Sequence, residues 1–140
     1  MTASKYNSEG YYDPTTYEAL SRIEREERAA RYRPLVYICS PYSHGCINAN
    51  IENARKYSRF AVDRHCLPIT PHIYFTQFMD DTVSEERETA IFMNFVLMSK
   101  CVELWVFGDT ISAGMKAEIE RAERKRMKIR YFTEELEEKK

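Results

Sequence analysis

Glu118 lies in a segment whose residue types are suited to acting on a small polar ligand. The segment "GDTISAGMKAEIERA" begins at Gly108, directly after an apolar stretch that predicts a buried strand. Ser112 is a good helix N-cap, and Gly114 leaves the N–H groups of the helix start open to a ligand. Glu118 borders the apolar stripe of this helix, so its carboxylate could act on a ligand held there. A solvated surface glutamate is the alternative.

The elements that must position this segment alternate between apolar strands and helices. Four apolar stretches predict strands at residues 35–40, 66–70, 102–108 and 128–132. Nearly continuous apolar strands are typical of a parallel sheet that helices cover on both faces. We therefore predict an open, doubly wound parallel sheet of four to five strands, a three-layer αβα fold of flavodoxin-like or Rossmann-like type.

One domain is expected, with an extra helix before it. Residues 1–13 show no helical or strand periodicity and predict a mobile segment. Residues 14–33 predict a surface helix with Asp13 as its N-cap. The domain is then expected over residues 34–133, and residues 134–140 form a charged tail.

Three loops should meet at the edge of the sheet where ligands bind in such folds, beyond the carboxyl ends of the strands. They contain "SPYSHG", "TPHIYF" and "GDTISAG", and the second opens an aromatic loop predicted over residues 71–81. His72 has two equally good interpretations: its ring binds a ligand, or it is a loop residue whose hydrogen bonds go to the backbone. The candidate binding residues in and near these loops are Ser40, Ser43, His72, Asp81, Gly108, Ser112 and Gly114.

The composition narrows the classes of partner. Lys plus Arg is 21 and Asp plus Glu is 22 among 140 residues, which gives no electrostatic footprint for a nucleic acid polymer. No apolar run approaches the ~18 residues of a membrane span, and the first residues show no signal segment. We therefore expect a cytoplasmic protein without a membrane partner. None of the four cysteines lies in a C-x-x-C pair, so we expect no metal and no cofactor.

The motifs "VYICSPYS", "PHIYF", "LWVFGDTISAGMKAEIERA" and "IRYF" follow one another within residues 34–132. Together they resemble the nucleoside 2-deoxyribosyltransferase family, above all its short bacterial and phage members. The S-x-G-x-x-x-E segment is also similar to one in the 2'-deoxynucleoside 5'-phosphate N-hydrolases. The resemblance implies a doubly wound fold and a nucleoside or nucleotide as the small-molecule ligand.

The resemblance also implies roles for single residues. Glu118 falls on the family glutamate that attacks C1' of the sugar, and Tyr37 falls on the tyrosine that orients it. A buried core tyrosine is the alternative for Tyr37. Ser112 matches the phosphate-contacting serine of the hydrolases, and His72 matches their loop histidine. The dipole of the helix is expected to favour ionised Glu118 by about 0.3–1 kcal/mol, which suits a nucleophile.

Two positions depart from the hydrolase pattern. Asn94 stands where those enzymes place the aspartate that acts as general acid and base, and an amide cannot protonate a leaving base. Asp80, Asp81 and Glu88 are the alternative sources of an acid. The first loop, "SPYSHG", lacks the arginine that helps the hydrolases to hold a phosphate.

Three functions remain open. The first is cleavage of an N-glycosidic bond or deoxyribosyl transfer through Glu118 and a covalent glycosyl-enzyme. The second is a non-catalytic nucleotide-binding module, which Asn94 favours. The third is cleavage of the nicotinamide bond of NAD. The sequence leaves open the base, the sugar, the need for a 5'-phosphate, and whether water or a second base is the acceptor.

The stretch "AIFMNFVLM" predicts contact with a second copy of the chain. It belongs to a helix expected to begin at Ser84, and it is apolar nearly all round. One face of a sheet cannot cover that much apolar surface, and monomers rarely expose the remainder. We therefore predict a homo-oligomer, a dimer or larger.

Overall fold

The computed structural model describes residues 14–140, in which one helix and a compact domain beginning at Pro34 are separate units. The helix, α1, spans Pro14–Ala30. The expectations for residues 1–13, a mobile segment with Asp13 as the cap of α1, lie outside the described residues.

The domain is built on four parallel strands. The strand order is β2-β1-β3-β4, so the order reverses between β1 and β3. This confirms the predicted doubly wound parallel sheet, with four strands. In chain order the elements are β1 (Leu35–Cys39), α2 (Ile47–Asp63), β2 (Leu67–Ile69), α3 (Pro71–Tyr74), α4 (Ser84–Met98), β3 (Glu103–Phe107), α5 (Ala113–Arg124) and β4 (Lys128–Phe132).

Helices cover both faces of the sheet, and each face has its own apolar cluster. On one face α2 packs against the sheet, where the Tyr57 ring stacks on Phe107 with 4.2 Å between centroids. On the other face Met98 of α4 and Met115 of α5 are buried against β1 and β3. Strands enclosed in this way need apolar residues at nearly every position, which explains the continuous apolar stretches of the sequence.

The aromatic segment after β2 differs from the loop predicted for residues 71–81. Pro71 begins α3, and a 3₁₀ turn at Phe75–Gln77 continues it. The fixed φ of proline suits the first position of a helix. The Thr76 hydroxyl then donates to the His72 carbonyl at 2.6 Å, which closes the turn. The short length of these two elements left no apolar periodicity that could reveal them.

The charged segment at 134–140 folds back along β4 and belongs to the domain. The Lys139 N–H donates to the Tyr131 carbonyl at 2.7 Å, and Glu138 bridges antiparallel to Phe132. The Arg130 guanidinium donates two hydrogen bonds to the Glu138 carboxylate, at 2.6 and 2.8 Å. The segment therefore covers the outer edge of β4, which would otherwise expose unpaired backbone groups.

Two further features concern membranes and metals. Between residues 14 and 140, no helix is both long enough and apolar enough to cross a membrane. Over the same range, His, Cys, Asp and Glu side chains form no group of three or more that could hold a metal ion.

Candidate functional site

A cavity of about 510 Å³ opens at the C-terminal edge of the sheet, beside the reversal of strand order. Its walls come from the loop after β1, from α3 and the turn that follows it, and from α4 and α5. Ligands bind at this place in open parallel sheets because the flanking loops diverge there. The predicted site residues that line the cavity are Ser40, Ser43, His72, Asp81, Asn94, Ser112, Gly114 and Glu118.

Glu118 lines the cavity and is bound by side chains of β1. The Tyr37 hydroxyl forms a hydrogen bond with the Glu118 carboxylate, and Tyr37 is only 1% exposed. Cys39, on the same face of β1, places Sγ 4.0 Å from Glu118 Oε1 and 3.9 Å from the Met115 carbonyl. Burial and the Glu118 charge raise the pKa of both Tyr37 and Cys39 well above their usual values, so both remain protonated donors.

The carboxyl of Glu118 is less acidic than its position on α5 predicts. Burial raises its pKa to about 7, although the hydrogen bond from Tyr37 acts in the opposite direction. The helix dipole acts mainly within the first turn, and Glu118 lies beyond the first turn of α5. The expected preference for the ionised form is therefore wrong, because burial outweighs the dipole. Near neutral pH this carboxyl is about half ionised.

Glu118→Gln is expected to raise the melting temperature near pH 8 and to leave it unchanged near pH 4. The pKa of about 7 in the folded protein exceeds the ordinary 4.5, so between these values only the folded protein keeps the proton. Stability from this group is full below about pH 4.5 and is lost as the pH rises through about 7. An amide avoids that loss, which is worth up to about 3 kcal/mol. Calorimetry at both pH values measures the difference, and a less stable variant near pH 8 would contradict the account.

His72 lies in the cavity as a neutral ring. Its Nε2 is 3.2 Å from the hydroxyl of Ser40, and the Tyr42 ring meets it edge-on with 6.1 Å between centroids. Burial lowers the pKa of His72 to about 4, so the ring carries no charge at neutral pH. His72 can therefore exchange hydrogen bonds with a ligand but does not attract an anion as a cation would.

The start of α5 offers backbone donors to the cavity. Ser112 caps the helix, and its hydroxyl oxygen accepts a hydrogen bond from the Met115 N–H at 3.3 Å. The first N–H groups of a helix have no acceptor within the helix, so those near Ala113 and Gly114 are available to a ligand. A Cβ added at Gly114 would meet no protein atom within 4 Å, so this glycine leaves the cavity wider without relieving a clash.

Gly108 lies apart from the cavity lining, although it was a candidate binding residue. It ends β3 with φ +91°, a conformation that glycine adopts without strain. Its carbonyl accepts a hydrogen bond from Lys139 Nζ at 2.9 Å. Gly108 therefore forms the turn between β3 and α5.

Asn94 lies in the cavity wall, and its environment is unusual. Its Oδ1 is buried and has no hydrogen-bond partner among the described residues. Of the three carboxylates considered as alternative acids, only Asp81 lines the cavity. Asp80 Oδ1 instead accepts hydrogen bonds from the backbone and hydroxyl of Thr82, and these bonds lower its pKa. Asp80 is thus poorly suited to be a proton donor.

Two residues that shape the site were missed from the sequence. Asn50 Nδ2 donates to the Tyr42 and His44 carbonyls at 2.6 and 2.8 Å and so holds the loop after β1. Arg87 lines the cavity from α4. It precedes Asn94 by two helical turns, and that spacing was the signal that could have revealed it.

Residues 34–132 match a domain of unknown function, DUF7768. The match covers more than half of the chain, including the whole parallel sheet, so the chain belongs to this family. No curated protein matches the chain.

Proposed function

We propose that this DUF7768 protein cleaves the N-glycosidic bond of a nucleoside or nucleotide, or transfers its deoxyribosyl group, with Glu118 as the nucleophile. One observation carries the proposal: a carboxylate with a pKa of about 7 lines the cavity and is bound by a buried tyrosine hydroxyl. Glu118 is half-buried, and carboxyls with shifted pKa values in a cavity are typical of catalytic sites. The cavity volume of about 510 Å³ suits a small molecule. A cytoplasmic location is part of this proposal.

In the first step, an ionised oxygen of Glu118 forms a bond to C1' of the sugar while the bond from C1' to the base nitrogen breaks. The base leaves with the bonding electron pair and takes up a proton from the medium. Tyr37 and Cys39 hold the carboxylate in one orientation, because both donate toward it from the same strand. Such positioning lowers the entropic part of the barrier.

In the second step, a water oxygen or the nitrogen of a second base attacks C1' and releases Glu118. Either acceptor gives up a proton to the medium. Water yields the free sugar, whereas a second base yields a new nucleoside. The N–H groups at the start of α5 are placed to bind a sugar hydroxyl or a 5'-phosphate, and neutral His72 can contact a hydroxyl.

A screen for released base tests this function. Nucleosides, 2'-deoxynucleosides, their 5'-phosphates and NAD are incubated separately with the protein, and free base is measured by mass spectrometry. We expect base release from at least one nucleoside or nucleotide. If nicotinamide from NAD is the only base released, NAD is the substrate. No release from any of them would contradict the proposed function.

A non-catalytic nucleotide-binding module is the second candidate. The buried Oδ1 of Asn94 favours it, because it lacks a partner among the described residues and is an acceptor that cannot supply a proton. Tight binding of one nucleotide by calorimetry, without base release, would decide for this candidate.

We also propose that the protein forms a homo-oligomer through α4. Phe92 is 68% exposed, and Val96, one turn later on the same helix, is 44% exposed. Large apolar side chains grouped in this way are usually covered by a partner. Sedimentation at micromolar concentration should show a dimer or larger species, and Phe92→Glu should shift it toward monomer. A monomeric wild-type protein would rule this out.

A further inference from the structure

Arg87 is the only lining residue with a permanent positive charge among those the structure describes. It lies near the start of α4 and is exposed, and none of the ion pairs formed within residues 14–140 includes it. Asp81 lines the same cavity, yet it forms no ion pair with Arg87. The guanidinium is therefore available to a ligand.

Arg87, Ile91 and Asn94 form one wall of the cavity. They are four and three residues apart and all line the cavity, so they lie on one face of α4. The rise of the helix separates Arg87 from Asn94 by about 10 Å along its axis. The wall thus presents a guanidinium, an apolar side chain and an amide in sequence. A flat heterocycle with polar edges at both ends fits such a wall.

The chemistry of the proposed reaction indicates which part of the substrate meets this wall. A nucleophile attacks C1' on the face opposite the departing base. Glu118 comes from α5, so the base must depart away from Glu118, and α4 supplies a cavity wall from a different helix. The base is therefore expected along α4, with its edges toward Arg87 and Asn94.

We propose that Arg87 selects 6-oxopurines, guanine or hypoxanthine, as the base of the substrate, an inference that rests on the proposed function. A guanidinium has only donors and binds a pair of acceptors side by side. The O6 and N7 atoms of a 6-oxopurine are such a pair, and a bidentate contact from arginine or lysine to these atoms of guanine is the commonest specific base contact in protein–DNA complexes. Adenine replaces O6 with an amino group, which is a donor and faces the guanidinium unfavourably.

Matched ligands isolate this contact. The first pair is 2'-deoxyinosine and 2'-deoxyadenosine, and the second pair is the 5'-phosphates of these two nucleosides. Within each pair, the ligands differ only in the hydrogen-bonding groups at the edge of the base that includes position 6. Binding is measured by calorimetry in Glu118→Gln protein, so that no ligand is consumed. We expect the oxo member of at least one pair to bind about 10-fold more tightly, because one bidentate contact discriminates by about that factor.

Variants at Arg87 should change this preference in different ways. Arg87→Met should abolish it, because the thioether donates no hydrogen bond. Arg87→Gln should reverse it, because an amide pairs with N6 and N7 of adenine. Arg55→Gln is the control, since Arg55 is an exposed arginine of α2 that pairs with Glu52 at 2.8 Å. Its preference should equal that of the parent protein.

The outcomes separate this inference from the proposed function. Equal affinity within each pair, a preference that survives in Arg87→Met, or no binding of any of the four ligands would overturn the role of Arg87. Base release without a preference for the oxo ligand would overturn the role of Arg87 but leave the glycosidase function supported. If the preference depends on Arg87 but the protein releases no base, the role of Arg87 in base selection is supported and the glycosidase function is contradicted.

Discussion

Glu118→Gln should lower the rate of base release by about 10⁴-fold or more, since an amide cannot form the glycosyl ester and losing a catalytic nucleophile costs this much in other enzymes. The amide keeps the shape of the side chain and can still accept a hydrogen bond from Tyr37. Ligand affinity should change little, because the proposed contacts to sugar or phosphate come from the start of α5. Quenched-flow assays with the best substrate of the screen measure the rate, and calorimetry measures the affinity.

Glu120→Gln is the matched control, because Glu120 is an exposed glutamate of the same helix outside the cavity lining. It should release base at the wild-type rate. If Glu118→Gln released base at the wild-type rate, Glu118 would not be the nucleophile, whatever rate the control shows.

Asn94→Asp should raise the rate of base release by about 10²–10⁴-fold, the usual contribution of a placed general acid. Asn94 lines the cavity, and its buried Oδ1 has no partner among the described residues, so the site accepts a carboxyl of the same shape. Burial disfavours the charged form of such a carboxyl and would keep it protonated, as an acid must be. Initial rates measured from about pH 5 to about pH 9 show both the increase and a new fall in rate at high pH, where the introduced carboxyl loses its proton.

Asn48→Asp makes the same chemical change at an exposed position of α2 and should have no effect. A rate for Asn94→Asp at or below that of the wild type would show that the missing acid does not limit the reaction. The acid would then have to come from Asp81 or from the medium.

The sheet could be predicted because the burial of its strands requires a pattern of apolar residues that is visible in the sequence. Strands covered on both faces need apolar residues at nearly every position, and the central strands β1 and β3 have them. The edge strand β4 includes Lys128 and Arg130, yet all three strands lie within one residue of the predicted bounds. The meeting of the three loops followed from the topology of such a sheet. The contact of Glu118 with Tyr37 was implied by the family resemblance, since no local pattern connects a strand residue with a helix more than 70 positions later.

Other properties of the site could not be predicted, because they arise only in the assembled domain. The pKa of Glu118 depends on how much protein surrounds the carboxyl, whereas the sequence shows only its place on a helix. Asn50 has the residue type of a helix cap, and only the path of the loop after β1 reveals its two carbonyl partners. Arg87 shares a helix face with Asn94, but whether that face opens onto the cavity depends on how α4 lies against α5.

The central claim is that Glu118 forms a covalent bond to the sugar during the reaction. A 2'-fluoro-2'-deoxyarabinosyl analogue of the best substrate tests it, because the fluorine slows the second step and lets the glycosyl-enzyme accumulate. Intact-protein mass spectrometry, followed by sequencing of the modified peptide, should find one added sugar on Glu118 and none in Glu118→Gln. Base release from the analogue with no added mass, or with the sugar on another residue, would contradict the account.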